Sequence, residues 1–496
     1  MKRVFVIGVV AAVLASGCAT LTEVSHPGGP NTAGSSYRKA TQSGPELSGD
    51  GRYSVFVGPR STSDTTAEVY RRDALTGTTV RVSSDATGAP VGGDAAAISR
   101  NGRYVVFRTN AALIAGDTNR NVANFENGGD FYVRDMDAPA AFDLVTYDEY
   151  GAQIVPSGPN GLDSSVFVSS TGRYVAFQFK LSGGRTFGGT IYVRDRQAAT
   201  THVVGGGYAQ LAGLSGDGLH VGIDDYTGCI TFCPVYAGGH VNDWKAGTTV
   251  DLGCESGGSI AMSDDGRYLA TWQTGRLAGC ADGVARYDRQ QLTSPTMVTP
   301  ALAANPSTSG IVAMSADGGR VAFDVATSLV PTDTNALIDT YVRDVGTGDL
   351  SLASQSALDQ AGNGASYLSG LSADGAYAQF DTDATNVLAD DTDGQMDTVE
   401  TPAVRPVMVG VLPLSVARGT SHSLTVNAHP IVAGATITVF GGGVSVGSIN
   451  VVNGVAALTT VTVAANAAPG RRDVMITNPG PYGTASAWCF GCISVT

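Results

Sequence analysis

The chain has 496 residues, 43% of them hydrophobic and only 15% charged, with 65 glycines and a formal net charge of −14. That length exceeds one ordinary core, the apolar fraction suffices for a packed interior, and the glycine content calls for many turns. An acidic balance without a basic stripe repels polyphosphates, so nucleic acid is excluded as the expected partner.

Lys2 and Arg3 precede an apolar stretch from Val4 to Leu14 that is too short to span a bilayer, the pattern of an export signal. It ends in Ala15-Ser16-Gly17-Cys18, which resembles the bacterial lipobox, with Ala15 standing where Leu is usual. The resemblance implies a signal peptide over 1–18 and a membrane anchor through lipid on Cys18. Several acyl chains would hold it, each buried methylene contributing about 0.8 kcal/mol. Ordinary cleavage after Ala19 is the alternative and gives a secreted protein. Either route predicts an extracytoplasmic body in the cell envelope, and Ala19 after the cysteine is compatible with an outer membrane. Residues 19–35, rich in Gly, Pro, Ser and Asn, read as a flexible tether.

One phrase then recurs seven times. Its copies are Leu47-Ser48-Gly49-Asp50-Gly51-Arg52-Tyr53, Ile98-Ser99-Arg100-Asn101-Gly102-Arg103-Tyr104, Val168-Ser169-Ser170-Thr171-Gly172-Arg173-Tyr174, Leu214-Ser215-Gly216-Asp217-Gly218, Met262-Ser263-Asp264-Asp265-Gly266-Arg267-Tyr268, Met314-Ser315-Ala316-Asp317-Gly318 and Leu371-Ser372-Ala373-Asp374-Gly375. Ser48 and Ser372 lie 324 residues apart over six intervals, a mean period of 54 that suits a four-stranded blade with extended loops. Asp-Gly or Asn-Gly supplies the positive φ of a tight hairpin, so each copy turns one strand into the next. The strand after each turn is apolar on both faces, as in Tyr104-Val105-Val106-Phe107, which predicts burial between two neighbouring sheets.

A second phrase lies behind the first: Tyr70-Arg71-Arg72-Asp73, Tyr132-Val133-Arg134-Asp135, Tyr192-Val193-Arg194-Asp195 and Tyr341-Val342-Arg343-Asp344, at offsets of 22, 33, 23 and 26 residues from the serine. It marks a third strand, and a turn such as Thr76-Gly77 leads into a fourth, Thr79–Val82. The two phrases together resemble the TolB-like propeller repeats, distant relatives of the WD repeats. The resemblance implies a seven-bladed β-propeller over 36–401 in an exported bacterial protein. The fourth copy departs most, with Leu219-His220 in place of Arg-Tyr. The last copy reaches a third strand at Met396–Val399 and breaks at Pro402, so Ser36–Thr41 is expected to supply the missing strand and close the ring.

From 402 to 496 the repeat gives way to alternating runs such as Ser423-Leu424-Thr425-Val426 and Ala457-Leu458-Thr459-Thr460-Val461-Thr462-Val463, the signature of a small β-sandwich. The segment from Ala467 through Pro479 resembles bacterial immunoglobulin-like (IPT/TIG-like) modules. The expected fold class is therefore all-β, a propeller followed by a sandwich.

Candidate chemistry is sparse. Asp391, Asp393 and Asp397 resemble the core of a DxDG-type calcium loop, with Asp333, Asn335 and Asp339, and Asp117-Thr118-Asn119, as looser versions. Oxygen ligands at alternate positions and a Gly at the bend suit Ca²⁺, the one cofactor suggested. The alternative is a solvated turn, and Ala389 occupies the place where a full loop would begin. Without Cys18, six cysteines are left, and an oxidising compartment favours disulfides over a zinc site. The expected pairs are Cys229 with Cys233, Cys254 with Cys280 and Cys489 with Cys492, although the first four of the six allow three pairings. Six scattered histidines form no constellation, and Gly443-Val444-Ser445-Val446-Gly447 matches the nucleophile elbow only in letters, since strands flank it on both sides. The chain reads as a non-catalytic scaffold for an envelope protein or a glycan. The alternatives are a carbohydrate-active or other hydrolase using the propeller channel, and a purely structural surface protein.

Overall fold

In the computed structural model the described residues are 22–23, 44, 46–61, 64–118, 129–155, 162–180, 188–227, 235–254, 256–274, 280–292, 295–304, 306–356, 360–388, 391, 395–403, 405–480 and 485–496. They divide into two compact units, one over Glu23–Ser354 and Gly362–Glu400, the other built around Thr401–Thr496.

The first unit is a seven-bladed β-propeller. Six sheets succeed one another in chain order, beginning Tyr53–Ser61, Asp64–Asp73 and Thr78–Arg81, then Asp94–Ile98, Tyr104–Thr109, Asp130–Asp135 and Phe142–Leu144. Blade 1 gains an innermost segment through the isolated bridge between Leu47 and Ser54. Blade 4, whose repeat is weakest in sequence, is a complete antiparallel sheet of Ala209–Leu214, His220–Thr227, Val235–Asp243 and Thr248–Asp251. Blade 7 comprises Ser366–Leu371, Tyr377–Thr382 and Asp397–Pro402, and its outer strand is Thr22–Glu23. The ring is thus closed by an N-terminal strand, but not the expected one: Thr22–Glu23 occupies that edge, and Ser36–Thr41 lies outside the described residues. A two-residue edge strand needs only backbone groups, so no side-chain pattern announced it.

The cores lie between blades. Val106, Phe131 and Val133 of blade 2 pack with Val166, Val175 and Phe177 of blade 3, and Val193 of blade 3 packs with Leu211, Val221 and Ile223 of blade 4. This explains why the second strand of a blade is apolar on both faces: each face meets a neighbouring sheet.

The second unit is a two-layer β-sandwich. One sheet orders Val407–Leu412, Ser421–His429, Ala456–Val463 and Val444–Val446; the other orders Ser415–Val416, Ala485–Val495, Gly470–Asn478 and Thr436–Val439. Along Ala456–Val463 buried and exposed residues alternate, and Val461 and Val463 meet Val474, Ile476 and Ile493 in one apolar core.

Candidate functional site

The recurring phrase turns out to wire each blade together. Ser48 Oγ donates to Asp50 Oδ1 (2.8 Å) and accepts from the Tyr53 amide (2.8 Å); Ser263 and Ser372 do the same in their blades. The arginine reaches the aspartate of the second phrase. Arg52 meets Asp73 through Nε (3.0 Å) and Nη2 (2.8 Å), and Arg103–Asp135, Arg173–Asp195 and Arg267–Asp288 repeat this fork. The guanidinium hydrogen bonds hold Asp135 and Asp195 below the usual carboxylate range. The glycine is required twice over. Gly102 has φ 71°, and a Cβ there would stand 2.4 Å from Tyr53 Cδ2, so the tyrosine of one blade packs beneath the turn of the next.

The residue after each serine joins the blades into a closed belt. The Gly49 amide donates to the Arg100 carbonyl (2.7 Å), Asn101 to Ser170 (3.3 Å), Ser170 to Gly216 (2.8 Å) and Asp217 to Asp264 (2.8 Å). Asp264 then donates to Ala316 (2.8 Å), Ala316 to Ala373 (2.7 Å) and Ala373 back to Gly49 (2.9 Å). Each link spans one blade boundary, and each contributes about 1 kcal/mol net. Crowding near the axis explains the small residues Gly49, Ser170, Gly216, Ala316 and Ala373.

Only Arg100 and Asp264 break that pattern. They come from blades 2 and 5, opposite each other in the ring, and Arg100 Nε lies 2.9 Å from Asp264 Oδ1. Ser170 Oγ donates to the same oxygen (2.7 Å). A Cβ on Gly216 would lie 1.7 Å from Asp264 Oδ1, so the glycine is what lets this carboxylate lie across the belt. An axial cavity of about 90 Å³ is lined from all seven blades. Phe167, Ile260, Met262, Ile311, Met314 and Leu371 make its wall apolar, and among the described residues Arg100, with its 18% exposed side chain, is the one ionisable residue on that wall.

The structure also places the residues singled out in the sequence. Asp333 and Asp339 point into the blade: Asp333 Oδ2 accepts from the Tyr341 hydroxyl and Asp339 Oδ1 from Ser354 Oγ (2.6 Å), while Asn335 Nδ2 donates to the Gly362 carbonyl (2.6 Å). Burial pushes Asp339 up to about 6. Asp117 is engaged in the same way, accepting from the Tyr132 hydroxyl and from Gln153 Nε2 (2.9 Å). The acid of each Asp-Thr-Asn loop therefore serves the tyrosine of the second phrase. Asp397 is buried at the start of its strand, and Asp393 lies outside the described residues. Among the described residues no three His, Cys, Asp or Glu side chains are grouped to hold a metal. Cys254–Cys280 and Cys489–Cys492 are disulfides, as expected; Cys18, Cys229 and Cys233 lie outside the described residues. Ser445 sits within the strand Val444–Val446 rather than on an elbow.

Sequence reasoning missed one constellation. In blade 4, Ser215 Oγ lies 3.4 Å from His220 Nδ1, and His220 Nε2 lies 3.4 Å from Asp243 Oδ2. These are the residue types of a hydrolytic triad, but Ser215 is fully buried, and its hydroxyl donates to Asp217 (2.5 Å) and accepts from the His220 amide (3.0 Å). His220 stands where five of the other blades carry tyrosine and blade 6 carries Arg320, beneath Gly266. The group is the turn motif with an imidazole in it.

No protein-family model matches the chain, and no curated protein matches it. Among solved structures, the β-propeller domain of the Trilobed protease from Pyrococcus furiosus is similar over 75% of this chain and 96% of that one, at 11% identity and a TM-score of 0.44. An acylaminoacyl peptidase from Pyrococcus horikoshii is similar over 79% of this chain and 58% of its own, at 12% identity and a TM-score of 0.44. The GH74 xyloglucanase from Xanthomonas campestris is similar over 83% and 60%, at 11% identity and 0.42. This chain thus spans less than two-thirds of either enzyme. Likeness at this level concerns the propeller fold and says nothing about activity.

Proposed function

We propose that the chain is an exported, membrane-anchored envelope protein whose propeller is a rigid, non-catalytic scaffold for a protein or glycan partner, with the sandwich, read as immunoglobulin-like, as spacer or second contact. The observation that carries the reading is the use made of the polar side chains. The arginines, aspartates and serines of the repeated phrases are consumed in holding blades together, and among the described residues the wall of the axial cavity presents no pair of carboxylates of the kind a glycosidase needs. A ring closed by a continuous belt presents its loops in fixed relation, which is what recognition requires. Calcium on Asp391, Asp393 and Asp397 belongs to the same proposal; Ca²⁺ titration giving neither heat nor a thermal shift removes it.

Crosslinking the anchored protein in intact envelopes, with pull-down of the products, tests the scaffold reading. A specific envelope partner or glycan is the expected result. Recovery of none, together with turnover of a sugar or peptide substrate, overturns it in favour of a hydrolase.

A further inference from the structure

We propose that the outer edge of blade 7 is the membrane-facing side of the propeller, held against the bilayer by the lipid on Cys18, with blades 3 and 4 standing farthest from it. The inference rests on the anchored reading above and adds to it which surface meets the membrane.

Chain length carries the argument. Thr22–Glu23 is the outermost strand of blade 7, hydrogen-bonded to Asp397–Pro402. Cys18 lies outside the described residues, but only four Cα-to-Cα steps separate it from Thr22. An extended chain covers at most about 3.6 Å per step, so the two stand no more than about 14 Å apart whatever the path between them. Acyl chains buried in hydrocarbon fix the cysteine at the bilayer surface. The edge of blade 7 then lies within that same distance of the surface.

Had Ser36–Thr41 closed the ring, eighteen steps would intervene. A flexible coil of that length has an end-to-end distance of about 23 Å and stretches to about 65 Å, enough for the body to turn freely. With Thr22–Glu23 in the sheet, the chain after Glu23 instead connects two points of the propeller, the outer edge of blade 7 and Leu47 at the inner edge of blade 1. It adds nothing to the reach of the anchor.

Charge sets the tilt. A net charge of −14 opposes laying a face of the propeller on an anionic leaflet, so contact through the edge is favoured. The seven blades follow one another round the belt, which closes where the Ala373 amide donates to the Gly49 carbonyl, and blades 3 and 4 therefore lie across the ring from blade 7. Their loops reach farthest from the membrane and are the part of the scaffold offered to a partner.

The test uses the full-length acylated chain in vesicles of phosphatidylcholine and phosphatidylglycerol that carry a small fraction of rhodamine-headgroup lipid. A genetically encoded fluorescent amino acid replaces either Gln395, exposed just before the third strand of blade 7, or Thr249, exposed on the outer strand of blade 4. Energy transfer to the surface acceptors should be severalfold greater from position 395 than from position 249. Inserting about twenty Gly and Ser residues between Thr20 and Leu21, a coil of roughly 25 Å, keeps the lipid and the ring but frees the edge, and should bring the two positions close to equality. Equal transfer in the unaltered, vesicle-bound protein overturns the proposal, as does greater transfer from position 249 or a difference that the insertion leaves unchanged. Mass spectrometry of the N-terminal peptide keeps the two readings apart. A chain without acyl groups on Cys18 overturns the anchor and this proposal with it, whereas an acylated, vesicle-bound chain with equal transfer overturns the orientation alone.

Discussion

Glu400 makes stability fall as the solution becomes more alkaline. It lies on the third strand of blade 7, is 2% exposed, and accepts a hydrogen bond from Ser54 Oγ of blade 1 (2.9 Å). Burial pushes its carboxyl up to about 8 from an ordinary value of 4.5, with Ser54 partly opposing and the Asp50 charge adding to the rise. Between those values the folded chain keeps a proton that the unfolded chain releases. Its contribution is therefore fully present below about pH 4.5 and lost progressively as pH rises to about 8. At about 1.4 kcal/mol per unit the window is worth on the order of 5 kcal/mol. Glu400→Gln keeps the shape and the acceptor oxygen without the titration. Calorimetric melting of the propeller at pH 5 and pH 8 should show the parent losing several degrees more than the variant between the two. Asp339 and Asp324, both raised by burial, slope the same way in both proteins and cancel in the difference. An equal pH slope in parent and variant refutes the reasoning.

Two glycines with nearly the same φ separate backbone strain from packing. Gly77→Ala, at φ 68° with open space around it, should cost about 1 kcal/mol, whereas Gly102→Ala, at φ 71° against Tyr53, should cost several more; equal losses in denaturant midpoint would contradict the packing of tyrosine beneath each turn. Ser215→Ala should lower the melting temperature, losing about 1 to 3 kcal/mol of buried hydrogen bonding, without removing a hydrolytic activity; an ester or peptide hydrolysis abolished by this change would restore the triad reading. Replacing Cys254 and Cys280 by serine, which opens a loop of 26 residues in sequence, should cost about 3 to 4 kcal/mol in denaturant melts, and no loss would place the bond outside the stabilising framework.

Much of the architecture was legible because its signals are local. An Asp-Gly turn between apolar runs determines a hairpin wherever it occurs, and seven copies count the blades. The Tyr-x-Arg-Asp phrase marked the third strand for the same reason, since its register against the second strand places Asp73 opposite Tyr53 and so within reach of Arg52. The candidate site was less legible. Asp117 and Asp333 have the spacing of metal ligands, but the tyrosine hydroxyls that take them up arrive from another strand. His220 looked scattered because blade 4 departs from the repeated phrase there, with Leu219-His220 in place of Arg-Tyr.

The sequence by itself determined the number of blades, the sandwich after them and the disulfide-bonded character of the chain, because turns, alternation and cysteine content are properties of short windows. Tertiary structure alone decided that Thr22–Glu23 closes the ring, that the residue after each serine joins a continuous belt, and that Arg100 and Asp264 face each other across the axis. Those features depend on backbone groups, or on residues 164 positions apart, that become neighbours only when a chain of repeats bends into a circle and its first blade meets its last.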